Sequence, residues 1–410
     1  MNEKIETVII GGGQAGLSAS YYLQQQAHEN IVLEQAVQPA NAWRNDRWDS
    51  FTLLTPNWSF RLPGAEYAGD DPDGFMLKNE IVTRFEQYVQ NAQLPVRYQV
   101  HVNSVERSAD GGDYLVKTDT NEIRASNVII ATGLFQHAKI PAFSKTLSPK
   151  IVQLASGQYR NPQALPPGAV LVVGSAQSGA QIAEELYQSG RQVYLCLGNS
   201  GRVPRCYRGK DVYEWMRLSG FLDRTVDLLP SPRVKFAASA HLSGRDGGHT
   251  LNLHQFARDG VILLGHLLGG DGSQINLQAD RKECLARADK FESDLVQQID
   301  GFIQKTATPA PPEELTMLQD GFNGEEITTL SLESAGITSI IWAIGYTFDF
   351  SLVKLPVVDA DGFPLQNRGA TQFPGLFFTG LPWLHKYQSG HLLGVAEDAA
   401  YITSMITARR

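Results

Sequence analysis

The chain has 410 residues, 42% of them hydrophobic, with 38 Gly and 20 Pro, which suits two or three globular units with substantial cores. Its 43 acidic against 35 basic side chains, a formal net charge of −8, argue against a nucleic-acid coat or a polybasic membrane anchor. No apolar run approaches the roughly 18 residues that a membrane span needs, and no leader fits ahead of the first apolar run, so a cytoplasmic protein is expected.

Residues 5–34 organise the rest. The apolar run Thr7-Val8-Ile9-Ile10 leads into Gly11-Gly12-Gly13-Gln14-Ala15-Gly16, then a helical pattern to about residue 26, then Ile31-Val32-Leu33 ending at Glu34. This is strand, glycine turn, helix, strand. Gly11 permits the tight turn, Gly13 lets backbone approach a pyrophosphate, and Gly16 lets the helix pack on the strand. The helix start offers unpaired N–H groups and partial positive charge to phosphates. Glu34 stands where a carboxylate accepts a ribose hydroxyl. A dinucleotide site is expected here.

The following loop holds Trp43, Arg44 and Trp48, which either pack on the surface or stack on and pair with the cofactor. Thr55-Pro56-Asn57 belongs to a second loop that ends at Leu62-Pro63-Gly64. Asn79 reads as the N-cap of a helix over 80–91. Stretches 96–105 and 114–118 read as strands around the turn Asp110-Gly111-Gly112-Asp113. Val128-Ile129-Ile130-Ala131-Thr132-Gly133 is a buried strand whose small end residues let a ligand approach backbone.

After a boundary at Leu165-Pro166-Pro167-Gly168 the opening pattern recurs. Val170-Leu171-Val172-Val173 runs into Gly174-Ser175-Ala176-Gln177-Ser178-Gly179, a helix to about 189 and a strand over 193–197. Two such units imply two nucleotide sites. Leu197 takes the place of Glu34, so no carboxylate repels a 2′-phosphate. Arg202, Arg205, Arg208 and Lys210 follow closely. Arginine binds phosphate through paired hydrogen bonds, so the cluster favours NADPH, with NADH still admissible; the alternative is a solvated basic loop.

A helix is expected over 213–222. Residues 233–270 hold His241, His249, His254 and His266, no two with the spacing of a helical ligand pair, and they read as core or solvent histidines. Cys196, Cys206 and Cys284 form no CxxC or metal-ligand pattern, which counts against a disulfide reductase and against a structural zinc. No metal is expected. Strands follow at 261–264 and 274–278, an amphipathic helix at 280–305, a proline connector at 308–312, and a buried strand at 337–342 leading to Ala343-Ile344-Gly345-Tyr346. At the end, Gly375 to Gly380, Ser389-Gly390 and a helix to about 407 are expected to return to the first nucleotide site.

Together these motifs resemble the flavin-containing monooxygenases and the wider two-dinucleotide flavoproteins, among them bacterial flavoproteins linked by name to potassium transport. The resemblance covers nearly the whole chain, least clearly 233–330. It implies two Rossmann-like three-layer α/β domains, with an NADPH domain over 146–330 inserted into an FAD domain of 1–145 and 331–410. FAD is then expected on Gly11, Gly13, Gln14, Ala15, Gly16, Glu34, Trp43, Arg44, Thr55, Val102, Ala131, Thr132, Gly133 and Gly380. NADPH is expected on Gly174, Ser175, Gln177, Ser178, Gly179, Arg202 and Arg205. In the family NADPH reduces FAD, O₂ adds to give a C4a-hydroperoxyflavin, and one oxygen passes to a small organic substrate. The chain departs from the pattern at three places. Ala155 stands where the family carries a histidine. Asn57, the candidate catalytic residue, follows Pro56 rather than Thr55 directly. Ile344 replaces a usual threonine. Oxygen insertion, NAD(P)H dehydrogenation without insertion, and redox sensing for a partner such as a transporter all remain open, as does monomer against homodimer.

Overall fold

The computed structural model describes residues 3–109, 111–237 and 240–409; Asp110, in the turn expected at 110–113, lies outside them. In chain order the first unit builds β1 (Glu3–Ile10), α1 (Gln14–Gln25), β2 (Asn30–Leu33), α2 (Lys78–Asn91), β3 (Val96–Arg97), β4 (Val102–Arg107), β5 (Tyr114–Thr118) and β6 (Glu122–Ile130). The second adds β7 (Val152–Ala155), β8 (Ala169–Val173), α3 (Gln177–Gln188), β9 (Val193–Cys196), α4 (Leu253–Arg258) and β10 (Ile262–Leu264). The remainder comprises β11 (Leu267–Asp271), β12 (Gln274–Leu277), α5 (Arg281–Thr306), β13 (Thr329–Ser331), β14 (Ile337–Trp342), β15 (Leu376–Phe378) and α6 (Val395–Thr407).

The first sheet runs β3-β2-β1-β6-β5-β4, with β15 on β6. β6 is long enough to serve two partners on one edge. Its first half takes β5 antiparallel, Tyr114 opposite Ala125, and its last three residues take β15 parallel, Phe378 opposite Ile130. Val8, Ile9, Val128 and Ile129 are fully buried, as strands covered on both faces require. α6 packs on α1, so the carboxyl-terminal segment does return to the first glycine turn.

The second sheet is wholly parallel, β7-β14-β8-β9-β10. One expectation is corrected here. The stretch 337–342 was assigned with 331–410 to the first domain, yet β14 lies between β7 and β8, with Val173 opposite Trp342. Periodicity marks a buried strand but says nothing of which sheet accepts it. Smaller corrections are local. The helix expected from Asn79 starts at Lys78, with the Glu80 carboxylate accepting the Leu77 N–H at 2.7 Å. The strand expected over 96–105 is broken between Arg97 and Val102.

Candidate dinucleotide sites

At the first corner each glycine has a distinct reason. Gly11 has φ +109°, and a Cβ there would lie 2.6 Å from the Ala131 carbonyl oxygen. A Cβ on Gly16 would lie 2.0 Å from the Gly11 carbonyl oxygen, so helix and turn touch through bare backbone. A Cβ on Gly13 would meet no protein atom within 4 Å. Gly11 and Gly16 are therefore demanded by the fold, whereas Gly13 faces open space at the start of α1. That start has no side-chain cap and no acid in its first turn, leaving its N–H groups for an anion. Glu34 Oε2 accepts the Gly12 N–H at 2.7 Å and Oε1 accepts the Ala36 N–H at 2.8 Å, which fixes the carboxylate beside the turn. Beyond it, burial and the Glu34 charge push the Tyr98 hydroxyl up to about 12.

Gly380 closes the corner. Its φ is +72°, and a Cβ would lie 2.4 Å from the Ala15 Cβ. Gln14 Nε2 donates to the Gly390 carbonyl oxygen at 2.9 Å, holding the 380–391 segment over the helix start. In that segment the Tyr387 ring is edge-on to Trp383 and His391, and burial pushes the His391 imidazole down to about 4, so it stays neutral. Ala131, Thr132 and Gly133 follow β6 and lie against the same turn. The Ala131 N–H donates to the Ile10 carbonyl, Gly133 adopts φ +69° with open space at its α-carbon, and Gln136 bonds to Thr132 Oγ1 and the Gly133 carbonyl.

The second corner repeats the first. Gly174 has φ +100° with the Ala343 carbonyl oxygen 2.6 Å from a Cβ, and a Gly179 Cβ would lie 1.8 Å from the Gly174 carbonyl oxygen. Ala343-Ile344-Gly345 thus does for β14 what Ala131-Thr132-Gly133 does for β6; the Ala343 N–H donates to the Val173 carbonyl at 2.8 Å. Ala176 caps α3 with no side-chain bond. Ser175 is buried and its Oγ accepts the Gly198 N–H at 3.1 Å, while Gln177 is hydrogen-bonded to the Leu242 backbone and Ser178 stands in the first turn of α3.

Other expected contacts are spent elsewhere. Arg202, 2% exposed, pairs with Asp289 at 2.8 Å and Glu292 at 2.7 Å on α5. Arg205, 3% exposed, pairs with Asp211 at 2.7 Å and donates to the Leu54 carbonyl at 2.8 Å. Arg208 pairs with Asp300 at 2.7 Å. Arg202 and Arg205 thus form neither a 2′-phosphate clamp nor a solvated basic loop: burial next to carboxylates has already neutralised both, whereas Arg208 pairs at the partly exposed surface. Asn57 is likewise held at both ends, Nδ2 donating to the Asp71 carbonyl and Oδ1 accepting the Met76 N–H, so it pins a loop and is not free for catalysis. Thr55 accepts from Ser59 Oγ. Trp43 packs on Phe51 and Phe85, and Arg44 pairs with Glu86 at 2.7 Å. Val102 begins β4, opposite Thr118.

Sequence reasoning counts Arg47 with Arg44 in this loop but gives it no role of its own. Its guanidinium lies over the Trp43 and Phe51 rings at 5.4 and 5.5 Å, donates to the Asp46 carbonyl at 2.8 Å, and is held below the usual arginine range by burial. The signal was available: it is the second arginine of the loop that directly follows the ribose strand.

The pyridine nucleotide-disulphide oxidoreductase family model matches residues 8–212, half of the chain, and spans both glycine corners. The chain belongs to this family. A CzcO-like oxidoreductase of Geobacillus kaustophilus is 30% identical over 408 residues, 99% of each chain. A probable indole-3-pyruvate monooxygenase, YUCCA1 of Arabidopsis thaliana, is 28% identical over 202 residues, 48% of each. A flavin-containing monooxygenase from Stenotrophomonas maltophilia shares the fold, with TM-score 0.67 and 21% identity over 99% of each chain. The protein is an oxidoreductase with the two-nucleotide α/β fold. No described helix is long and apolar enough to cross a membrane. Cys196 and Cys284 are buried, Cys206 is exposed, and all three are free.

Proposed function

We propose that the protein is an FAD-dependent, NAD(P)H-oxidising flavoprotein that inserts one oxygen atom of O₂ into a small organic substrate in the cytoplasm. The observation that carries the cofactor assignment is Gly13: at the uncapped start of α1, beside Glu34, a Cβ would meet no protein atom. Such a place fits a pyrophosphate, with the Glu34 carboxylate set for the ribose. FAD would lie on the first corner, supported by Ala131, Thr132, Gly133 and Gly380, and NAD(P)H on the second, at Gly174, Ser175 and Gly179. Bound FAD supplies the hydride and oxygen chemistry. The chain's own part is to bind phosphates at two helix starts, hold a neutral His391 and the Trp383 and Tyr387 rings over the first, and keep water out. The domain division becomes two nucleotide units with 337–342 in the second.

The monooxygenase relatives named above support oxygen insertion. A dehydrogenase or reductase reading is favoured by a specific feature: Ala155, buried at the end of β7, offers no imidazole, and Asn57 is fully engaged. Arg202 and Arg205, spent on carboxylates, do not carry a preference between NADPH and NADH at the second site. Hydrogen peroxide released per NAD(P)H oxidised, measured with and without a panel of small amines, sulfides and carbonyl compounds, separates the two. A substrate that lowers peroxide release and acquires ¹⁸O from ¹⁸O₂ supports insertion. Stoichiometric peroxide with every compound rejects it.

A further inference from the structure

Away from both glycine corners, three donor atoms converge just beyond the carboxyl end of β10. His266 follows that strand, Asp280 immediately precedes α5, and Cys284 lies in the first turn of α5, one helical turn from Asp280. His266 Nδ1 is 2.7 Å from Asp280 Oδ2 and 3.6 Å from Cys284 Sγ, and all three atoms lie within 4.8 Å of one another.

The shape of this cluster excludes a nucleophilic triad. In a triad the thiol and the carboxylate engage opposite ring nitrogens, so that one takes a proton while the other orients the ring. Here both face the same nitrogen, Nδ1, which is the arrangement of a chelate. A zinc-like cation with ligand bonds of about 2.05 Å to nitrogen and about 2.3 Å to sulfur at the tetrahedral angle separates the two donors by about 3.6 Å. The observed N···S distance is 3.6 Å. The N···O distance calculated in the same way is about 3.3 Å. Opening the 2.7 Å hydrogen bond by roughly that difference admits the ion.

The donors are held before any cation arrives. The His266 N–H donates to Asp280 Oδ1 at 2.9 Å, and the Cys284 N–H donates to the Asp280 carbonyl at 3.0 Å. Gly265 carries the loop so close that a Cβ would lie 2.0 Å from the Gln278 carbonyl oxygen and 2.5 Å from Asp280 Oδ1. Cys284 is 3% exposed, while the His266 side chain is 32% exposed, so one side of the cluster opens to solvent.

We propose that His266 Nδ1, Asp280 Oδ2 and Cys284 Sγ form a binding site for a divalent cation of the zinc class, with water in the fourth position. On binding, the Cys284 thiol loses its proton to solvent as the sulfur–metal bond forms, and the His266 proton resides on Nε2. Thiolate and carboxylate together carry −2 and balance the ion, with the Glu283 carboxylate and the Arg287 guanidinium as the charged neighbours on α5. The site ties the loop after β10 to the start of α5. One turn further along, Arg287 hydrogen-bonds Asn199, just beyond β9, so the clamp lies beside the second nucleotide unit.

The test uses full-length, flavin-loaded, chelator-treated protein carrying Cys206→Ser, which removes the exposed competing thiol. Co²⁺ is added and followed by difference absorbance. The expected result is one equivalent bound with thiolate-to-cobalt charge-transfer bands that zinc abolishes. His266→Ala should weaken binding more than about tenfold, since loss of even an outer-shell partner costs that much, and Cys284→Ser should remove the bands. Absence of the bands in the parent protein, or their persistence in Cys284→Ser, overturns the proposal. Should Cys284→Ser fail to fold, Asp280→Asn decides: unchanged affinity overturns the site, and a loss above about tenfold supports it.

Discussion

Gly13→Val separates cofactor binding from folding at the first corner. The backbone of Gly13 is extended, φ −81° and ψ −174°, which valine adopts without strain, and its Cβ direction is empty of protein. The cost to the apoprotein is confined to a poorer helix cap, at most about 1 kcal/mol. The isopropyl group, however, occupies the space assigned to the pyrophosphate and shields the first N–H groups of α1. A loss of at least about a hundredfold in FAD affinity is expected, about 2.8 kcal/mol. Gly16→Ala is the contrasting variant. Its methyl would lie 2.0 Å from the Gly11 carbonyl oxygen, so α1 must lift from β1, at about 1–3 kcal/mol of fold stability. The assay pairs the flavin-to-protein absorbance ratio after purification with urea unfolding of each apoprotein. Gly13→Val should lose flavin with a nearly unchanged urea midpoint, whereas Gly16→Ala should lower the midpoint itself. Full flavin occupancy in Gly13→Val would refute the reasoning, because no pyrophosphate fits beside that side chain.

Arg202→Met removes a buried cation from between Asp289 and Glu292 and should cost about 3–5 kcal/mol in chemical denaturation while leaving the ratio of kcat/KM for NADPH and NADH unchanged; a selective NADPH defect at full stability would restore the phosphate clamp. His241 is fully buried, and burial beside Arg202 pushes its imidazole down to about 3. The folded pKa lies below the unfolded value of about 6.5, so as pH falls below that value the unfolded chain takes a proton that the folded one refuses. Stability lost to this group should reach about 2 kcal/mol by pH 5, and His241→Leu should flatten the decline of urea midpoint between pH 7 and 5; an unaltered slope rejects the assignment. Arg47→Met replaces the half-buried guanidinium over the Trp43 and Phe51 rings and should reduce flavin retention with little change in apoprotein stability. Equal flavin content would make Arg47 a packing residue only.

Both glycine corners were legible because their determinants are local. A turn that needs φ near +100°, a helix that must touch its strand, and an acid at the next strand end all lie within about thirty residues, and each leaves a residue-type signature. The same locality explains the contrast between Glu34 and Leu197. The arginines were misread for the opposite reason. Their partners lie far along the chain, with Glu292 ninety residues from Arg202, and only the packing of α5 against the loop after β9 decides that the charge is internal. Sheet membership of 337–342 followed suit: an apolar strand has no label for its neighbours until register is fixed by the fold. The His266, Asp280 and Cys284 cluster was invisible because its ligands come from a strand end and a helix start rather than from one helix face. Sequence alone determined the two strand–turn–helix units and the chemistry they can bind. Tertiary structure decided which charges remain free and which side chains meet, because burial and pairing across long loops depend on the whole packed chain.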